Sequence, residues 1–491
     1  MKNQKIYLIL ATFVFLLSSC GKTSRVENIP VNEKEYKVYS ISMNRICKEW
    51  DGQWQGITVA SDGNCYFGTS THSAAHGAGF HKFNPETRTH TLLAEDMTIV
   101  LGEGNTPSQQ GKIHSPIVEH DGWLYFTTHL SNYWPKGIED YTGAHAVGYE
   151  METGKFRDFG IIRPRYSTYS TINIDPVRKK LYVFVVPFLD ELVEADGSHL
   201  YSVDIDTGEM KDLGLVAEKR SAASKTFFID HEGNCWFTLW KRNQHLDDDD
   251  KNTGPYQPFY ENDNGNLYCY RPSLDKIETY YDVLPYGELI DGTPVTEESY
   301  RKERAWTWSE VLPGSGNKKC LFTMGTWGGG DERLWIFDPS KDIESGEAFQ
   351  PIAYIGSTFL HTALGGDRVY FVQYENLEDE RAVGAEFERE RDPDVVGYDE
   401  SLHLRSISIT GGIDQKVTDH GKIVDQDGRA LRFTNSLAAD DKGRVFINGS
   451  FYVNSLNEAS LQILFYTHPG EDLYKLVKRG EFFAVFDTTI K

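Results

Sequence analysis

The sequence predicts an all-β protein built as a β-propeller, and two observations support that prediction. A turn followed by an aromatic strand, as in Asp121–Phe126, is a strong β-hairpin signal. The same pattern recurs at intervals of mostly ~50–60 residues, near the period of a propeller blade. Sheets that bury their faces only against their neighbours form such rings, so seven copies predict seven blades. The copies are Asp62–Thr69, Asp121–Thr128, Arg178–Phe184, Glu232–Thr238, Asn317–Thr323, Gly366–Phe371 and Lys442–Ile447.

The two ends of the predicted propeller, residues 36–491, are expected to meet. The strand Tyr36–Ser42 and the final strand Phe482–Phe486 are predicted to share a blade and to close the ring. Several copies are also followed by a third strand that ends in a polar turn, as in Leu200–Gly208. A pair of β-sandwich domains is the alternative, which the regular repetition disfavours.

The first 35 residues predict export and lipid anchoring. Lys2 and Lys5 precede an apolar run that is too short to span a bilayer, and Leu17–Cys20 resembles a bacterial lipobox. Residues 1–20 are therefore predicted to be a lipoprotein signal peptide with lipidation at Cys20, and residues 21–35 a polar tether. The expected location is the outer membrane, on its periplasmic or cell-surface side, with membrane contact only through the lipid. An ordinary secretory signal is the alternative.

Charge and cysteine content limit the possible partners. The formal net charge of −23 argues against general nucleic-acid binding, although a local cluster of Arg and His can still bind an anionic ligand. We expect a monomer whose partner is an acidic glycan. Five cysteines remain after Cys20; their odd number and the absence of a CxxC motif argue against a disulfide framework or a zinc knuckle. All five are predicted to be core residues: Cys47, Cys65, Cys235, Cys269 and Cys320.

The stretch Gly111–His129 is predicted to form one hairpin that carries the function. Because the turn lies at Asp121-Gly122, the open ends carrying His114 and His129 should meet at one edge. In a propeller this edge, where innermost strands begin and second strands end, is one face of the ring; we call it the rim.

Aligned copies place polar and aromatic residues at the rim. An isolated histidine at such a position is more often structural than catalytic, but their convergence from several blades predicts a pocket. The residues that begin innermost strands are Gln55, His114, Tyr169, Lys225, Trp308, His361 and Arg432, and those that follow second strands are His72, His76, His129, Trp240, Lys241 and Trp327. The approaches to blades 3 and 4 add Arg163, Arg165, Tyr166 and Arg220.

These residue types favour elimination over hydrolysis. A glycosidase normally needs two carboxylates beside the scissile bond, and Glu310 is the one carboxylate predicted near the rim. In β-elimination from a uronic acid, Arg neutralises the carboxylate, His or Tyr removes the C5 proton, and a phenol or imidazole protonates the leaving oxygen. Stacking on indoles and phenols would hold the sugar rings.

The Gly111–His114 motif, His129 and the Tyr- and Arg-rich approach to blade 3 resemble seven-bladed polysaccharide lyases of the ulvan lyase and rhamnose–glucuronate lyase types. The resemblance implies that His114 is the base or acid, with Tyr166 or Tyr169 as its partner, and that Arg165 and Arg220 hold the carboxylate. His129 joins the predicted catalytic set. The predicted substrate-binding residues are Arg163, Arg165, Arg220, Lys225, Trp240, Trp308, His361 and Arg432. Tyr182–Val185 stands where ulvan lyases carry an arginine, which favours the rhamnose–glucuronate type.

Three alternatives stay open. No cofactor is predicted, but a structural zinc or calcium ion is possible because His72, His76, His129 and His145 lie in neighbouring loops. A non-catalytic propeller that binds glycan or protein is the second, since fold does not determine function. A hydrolase using Glu310 with an acid from an insertion is the third. The insertions, residues 241–265 and 375–394, are otherwise predicted to be solvated surface loops.

Overall fold

The computed structural model describes residues 25–28, 36–104, 106, 108–131, 140–187, 197–217, 222–223, 227–240, 265–288, 292, 294, 305–324, 333–356, 362–373, 402–453 and 479–490. Their strands form seven antiparallel sheets of four or five strands and two sheets of two strands. Each large sheet is one blade, so the predicted seven-bladed β-propeller is confirmed.

Each predicted hairpin copy corresponds to the first two strands of a blade, and we letter the strands A to D from the shaft outward. Blade 1 contains Ile57–Val59, Cys65–Gly68, Phe80–Asn84 and Thr89–Ala94; blade 2, Val118–His120, Trp123–Thr127, His145–Glu150 and Phe156–Ile161; blade 3, Tyr166–Asp175, Lys180–Pro187, Ser198–Asp204 and Met210–Ala217. Blade 4 contains Phe228–Ile229, Cys235–Phe237, Leu267–Arg271 and Lys276–Tyr280; blade 5, Trp306–Val311, Cys320–Met324, Arg333–Phe337 and Phe349–Tyr354. Blade 6 contains Ala363–Gly365, Arg368–Gln373, His403–Ser408 and Thr418–Lys422; blade 7, Leu431–Ala439, Arg444–Tyr452, Arg479–Asp487 and Val38–Ser42.

The remaining elements are short. Gln110–Lys112 pairs with His129–Leu130, and Ala222–Ala223 pairs with Leu239–Trp240. Met97–Val100 is one α-helical turn whose cap residue Asp96 accepts backbone hydrogen bonds, and Met43–Arg45 is a 3-10 turn. Within the ranges given above, no helix combines the length and the apolar character needed to cross a membrane.

The N-terminal strand closes the ring, as predicted. Val38–Ser42 pairs antiparallel with the last strand, so that Val38 lies opposite Phe486 and Ser42 opposite Phe482. Upstream, Arg25–Asn28 pairs with Thr89–Leu92 and adds a fifth, outer strand to blade 1. These four residues belong to the segment predicted as a tether; the rest of residues 1–35, including Cys20, lies outside the described residues.

The core lies between the blades. Seven apolar clusters each combine residues of two consecutive blades, including blades 7 and 1. At that closing interface the rings of Phe67 and Phe483 stack with centroids 4.2 Å apart, and both are fully buried. Burying such a ring contributes roughly 1.5–3 kcal/mol. The ring of blades is therefore held together by apolar contact as well as by the shared strands of blade 7.

Four of the five predicted core cysteines are buried. Cys65, Cys235 and Cys320 each begin a B strand, as the repeat predicts, and Cys269 lies in strand C of blade 4. Cys47 meets the prediction only in part, because it lies in a loop and is partly buried, packed against the apolar cluster between blades 7 and 1. All five are free thiols.

Three blades share a His–Asp pair that links strands C and D. The imidazole Nδ1 lies 2.9–3.0 Å from the carboxylate, and the same carboxylate accepts the backbone N–H of a glycine two residues later. Each glycine has a positive φ and follows a shift of strand register, a conformation that a glycine adopts without strain. The pairs are His145–Asp158, His199–Asp212 and His403–Asp419.

Candidate functional site

The hairpin of blade 2 brings His114 and His129 together. Its turn residues Asp121 and Gly122 have φ values of 47° and 79°, as a tight two-residue turn requires. The ring centroids of His114 and His129 are 5.1 Å apart with an interplanar angle of 61°. The prediction that both histidines meet at the edge opposite the turn is confirmed.

A close backbone approach at Gly111 makes this contact possible. Gly111 lies in the strand that pairs with His129–Leu130, directly beside Ser131. A Cβ atom at Gly111 would lie 2.1 Å from the Ser131 Cβ and 2.8 Å from the Thr71 carbonyl oxygen. Only glycine allows the two segments to pack this closely, and the packing sets the position of both histidines.

The side chain of Lys112 links the strand Gln110–Lys112 to the segment after His129. Its side chain is fully buried, and Nζ donates to the carbonyl oxygens of Leu130 and Ser131, each at 2.8 Å. Burial lowers the pKa of Lys112 to about 7, although the charge of Asp51 acts in the opposite direction. A neutral amine still has two N–H donors for these two carbonyls. Lys112 therefore fixes the chain immediately after His129.

The tautomer of neutral His129 follows from its partners. Its Nδ1 lies 2.6 Å from the carbonyl oxygen of Thr168 and 2.7 Å from the Ser167 Oγ. A carbonyl only accepts hydrogen bonds, so Nδ1 carries a proton. In the neutral imidazole the lone pair is then on Nε2, the nitrogen suited to act as a base.

Trp54 orients His114. The indole and imidazole are nearly parallel, with centroids 4.9 Å apart and an interplanar angle of 8°. Trp54 is half-buried and belongs to the loop that precedes blade 1, next to the predicted rim residue Gln55, which is buried. The stack limits rotation of the imidazole and leaves part of the indole surface accessible to a ligand.

The approach to blade 3 lies against the histidine pair. Tyr166 directly precedes Ser167 and Thr168, the two residues that contact His129. The Arg163 guanidinium lies 4.1 Å from the centroid of the buried Tyr166 ring, and its Nη1 is 3.7 Å from the Asp212 carboxylate. Arg165 is exposed, with a φ of 64°, and its N–H donates to the Thr142 carbonyl. Ser167 and Thr168 of this segment contact His129, whereas the Tyr166 ring packs in the apolar cluster between blades 2 and 3 and Arg165 is exposed nearby in the sequence.

Trp308 and Arg432 are other predicted rim residues whose side chains the structure describes. Trp308 is buried and packs in the apolar cluster between blades 5 and 6, and Arg432 is half-buried in strand A of blade 7. Tyr169 and Trp240 lie in strands, but their side chains are outside the description. The described residues do not include five predicted rim residues: Arg220, Lys225, Lys241, Trp327 and His361. They also do not include the insertion 375–394 or, apart from residue 265, the insertion 241–265.

The histidines considered as metal ligands have separate partners. The Nδ1 of His72 lies 3.0 Å from Asp51, and His76 contacts Cys47. His145 lies between Asp158 and Glu103, at 2.9 and 3.2 Å. Burial lowers the pKa of His145, but the hydrogen bonds to these two carboxylates outweigh it and raise the pKa to about 9. Among the residues that the structure describes, no group of three or more His, Cys, Asp or Glu is arranged to hold a metal ion.

Glu310 lies in strand A of blade 5, opposite Leu321 and next to the turn of the A–B hairpin, so the prediction that it lies near the rim is wrong. Its side chain reaches solvent, yet the surrounding protein desolvates the charged form and raises the pKa to about 7, against a hydrogen bond with the backbone of Leu364. The insertions predicted to supply a second acid lie outside the described residues, apart from residue 265.

Comparison with known proteins identifies similar folds only. No family model matches the chain, and no curated protein matches it. An oligogalacturonate lyase from Vibrio parahaemolyticus aligns with a TM-score of 0.44 and 10% identity over 94% of this chain and 96% of that chain. An oligogalacturonate lyase in complex with manganese gives 0.45 and 9% over 94% and 96%, and a chain of the mitotic checkpoint complex gives 0.44 and 8% over 93% and 96%.

Four residues of this site are not predicted from the sequence: Trp54, Lys112, Ser167 and Thr168. Lys112 was visible only as part of the motif Gly111–His114, and its role depends on carbonyl groups 18 and 19 residues further along the chain. Trp54 stacks on a histidine of the next blade, which no local pattern indicates. The sequence signal for Trp54 is its position directly before Gln55, a predicted rim residue.

Proposed function

We propose that this protein is a polysaccharide lyase that cleaves a rhamnose–glucuronic acid linkage by β-elimination and leaves an unsaturated uronate. The observation that carries the proposal is the contact between His114 and His129, with His129 held through Nδ1 by the Thr168 carbonyl. Two imidazoles beside an Arg- and Tyr-containing segment provide a base, an acid and a cation for the uronate carboxylate.

The proposed steps use these residues in turn. Arg165 binds the uronate carboxylate and makes the C5 proton more acidic. His129 accepts that proton on Nε2, a double bond forms between C4 and C5, and the C4–O bond breaks. His114, rather than Tyr166 whose ring packs between blades 2 and 3, donates a proton to the departing rhamnose oxygen, which completes the balance of atoms and charge. The half-buried indole of Trp54 would stack on a sugar ring.

The test is an elimination assay with glycans that contain rhamnose linked to glucuronic acid. A conjugated 4,5-unsaturated uronate absorbs in the ultraviolet, so we expect absorbance to rise during incubation, whereas hydrolysis produces no such chromophore. A control glycan with a neutral sugar in place of glucuronic acid should give no rise. Reducing ends that appear without absorbance would reject elimination and favour a hydrolase.

A non-catalytic, glycan-binding propeller is the second candidate. The observation that favours it is the burial of both imidazoles, since the exposed fractions of His114 and His129 are 2% and 0%. Such a protein would bind the glycan, as measured by calorimetry, without forming unsaturated product. Binding that leaves the glycan length unchanged after prolonged incubation would select this candidate.

We also propose that Cys20 is lipidated and anchors the protein at the outer membrane. Because Arg25 already pairs with blade 1, the four residues 21–24, at most roughly 18 Å of extended chain from Cys20 to Arg25, would separate the lipid from the propeller. The outer edge of blade 1 would then lie close to the bilayer. Cys20→Ser should release the protein into the soluble fraction; unchanged membrane fractionation of this variant would contradict lipid anchoring.

A further inference from the structure

We propose that Cys47 and His76 form a reactive thiol site, separate from the histidine pair, that is modified by small disulfides. Cys47 follows the 3-10 turn Met43–Arg45, and His76 lies in the loop after strand B of blade 1. The inference does not depend on the lyase proposal, because it concerns side chains that this proposal does not use.

The geometry directs one imidazole nitrogen at the sulfur. The Cys47 Sγ lies 3.6 Å from His76 Nε2, and His76 Nδ1 lies 2.8 Å from the carbonyl oxygen of Gly77. The carbonyl only accepts, so Nδ1 carries a proton. Nε2 either takes the thiol proton or, once protonated, donates to the thiolate. This arrangement activates cysteine nucleophiles in enzymes.

The surroundings of His76 favour its charged form. The Asp96 carboxylate lies 3.9 Å from Nδ1, and the edge of the Trp50 ring packs against the imidazole. Burial lowers the pKa of His76, but Cys47, the hydrogen bond to Gly77 and the charge of Asp96 outweigh it and raise the pKa to about 9. The imidazole Nε2 beside the sulfur is the arrangement that the proposed exchange requires.

Access distinguishes Cys47 from the other described cysteines. Cys47 is partly exposed, whereas Cys65, Cys235, Cys269 and Cys320 are buried, and burial raises the pKa of each of these four thiols. Reactive cysteines combine partial exposure with a cationic neighbour, and of these five only Cys47 has both.

The modification is a thiol–disulfide exchange. The Cys47 thiolate attacks one sulfur of a disulfide RSSR, a bond forms between Sγ and that sulfur, and the original S–S bond breaks. The second half leaves as RS⁻ and takes a proton from water, so no other oxidant is needed. Small disulfides persist in compartments outside the reducing cytoplasm. The sequence predicts that this chain is exported to such a compartment.

The test follows each cysteine by peptide mapping in the full-length chain after treatment with oxidised glutathione or iodoacetamide. We expect a glutathione adduct on Cys47. We also expect His76→Asn to slow alkylation of Cys47 about tenfold or more near pH 6.5 but little near pH 9.5, where a free thiol of pKa about 8.5 is ionised anyway. The matched control His120→Asn changes a half-buried histidine of blade 2 and should leave both rates unchanged.

Two results would overturn the proposal. One is a Cys47 alkylation rate that rises through pH 8.5 like that of a free thiol and is the same in wild type and His76→Asn. The other is the absence of a glutathione adduct on Cys47 while the folded protein is alkylated there, since that would show access without exchange.

Discussion

Replacing His129 by glutamine is expected to lower the rate of unsaturated-uronate formation by about 10²–10⁴-fold, the usual contribution of a general base. Glutamine keeps a polar side chain of similar length, with its amide near the position of Nε2 rather than of Nδ1, which lies 2.6 Å from the Thr168 carbonyl. It has no nitrogen that accepts a proton near neutral pH. The measurement is initial rate by ultraviolet absorbance, with calorimetric glycan binding and thermal unfolding recorded on the same preparations.

The matched control is His120→Gln in the same hairpin. His120 lies at the turn end beside Asp121, far from the open end that carries His114 and His129, so this variant should keep wild-type turnover. His114→Gln is a second test of the pair, because the imidazole rings of His114 and His129 contact each other edge to face. If both His129→Gln and His114→Gln fold and keep full turnover, the imidazole pair has no part in the chemistry.

Local signals were sufficient to predict the fold. Each A–B hairpin of a blade contains its own turn and second strand, so short sequence segments are enough to predict all seven blades. Ring closure by Val38–Ser42 was predictable for the same reason, because an N-terminal strand without a hairpin partner needs the last blade. The hairpin repeat does not predict the His–Asp pairs between strands C and D. The two residues of each pair are 13 or 16 positions apart, and a strand bulge brings them together.

The site could be predicted only as far as the hairpin extends. His114 and His129 are joined by one turn, so their proximity follows from strand geometry. Trp54 and Thr168 reach them from neighbouring blades, and contacts between blades leave no periodic signal in the sequence. Cys47 was grouped with the strand cysteines by residue type, although it lies outside the hairpin repeat that buries three of them.

Replacing Lys112 by methionine should destabilise the protein, and the loss should grow as the pH rises from about 7. Methionine fills a similar volume but leaves the buried carbonyls of Leu130 and Ser131 without the Lys112 donor, at a cost of about 1–3 kcal/mol for each. Folding lowers the pKa of Lys112 from 10.5 to about 7. Between about pH 7 and 10.5 the Lys112 amine is protonated in the unfolded chain but neutral in the folded protein. The contribution of Lys112 to the free energy of unfolding of the wild type therefore rises with pH, by at most about 1.4 kcal/mol per pH unit. Below about pH 7 both states are protonated, and the contribution is constant.

The measurement is the free energy of unfolding by denaturant for wild type and Lys112→Met at several pH values between about 6 and 9.5. Lys211→Met is the matched control, because Lys211 is exposed and pairs with Asp275 at the surface, so the difference from wild type should stay small across the range. A gap between wild type and Lys112→Met that is constant or narrows above pH 7 would show that the buried amine stays charged in the folded protein. In that case Lys112 would hold the two carbonyls as an ammonium group, and the segment after His129 would carry a fixed positive charge beside the imidazole pair.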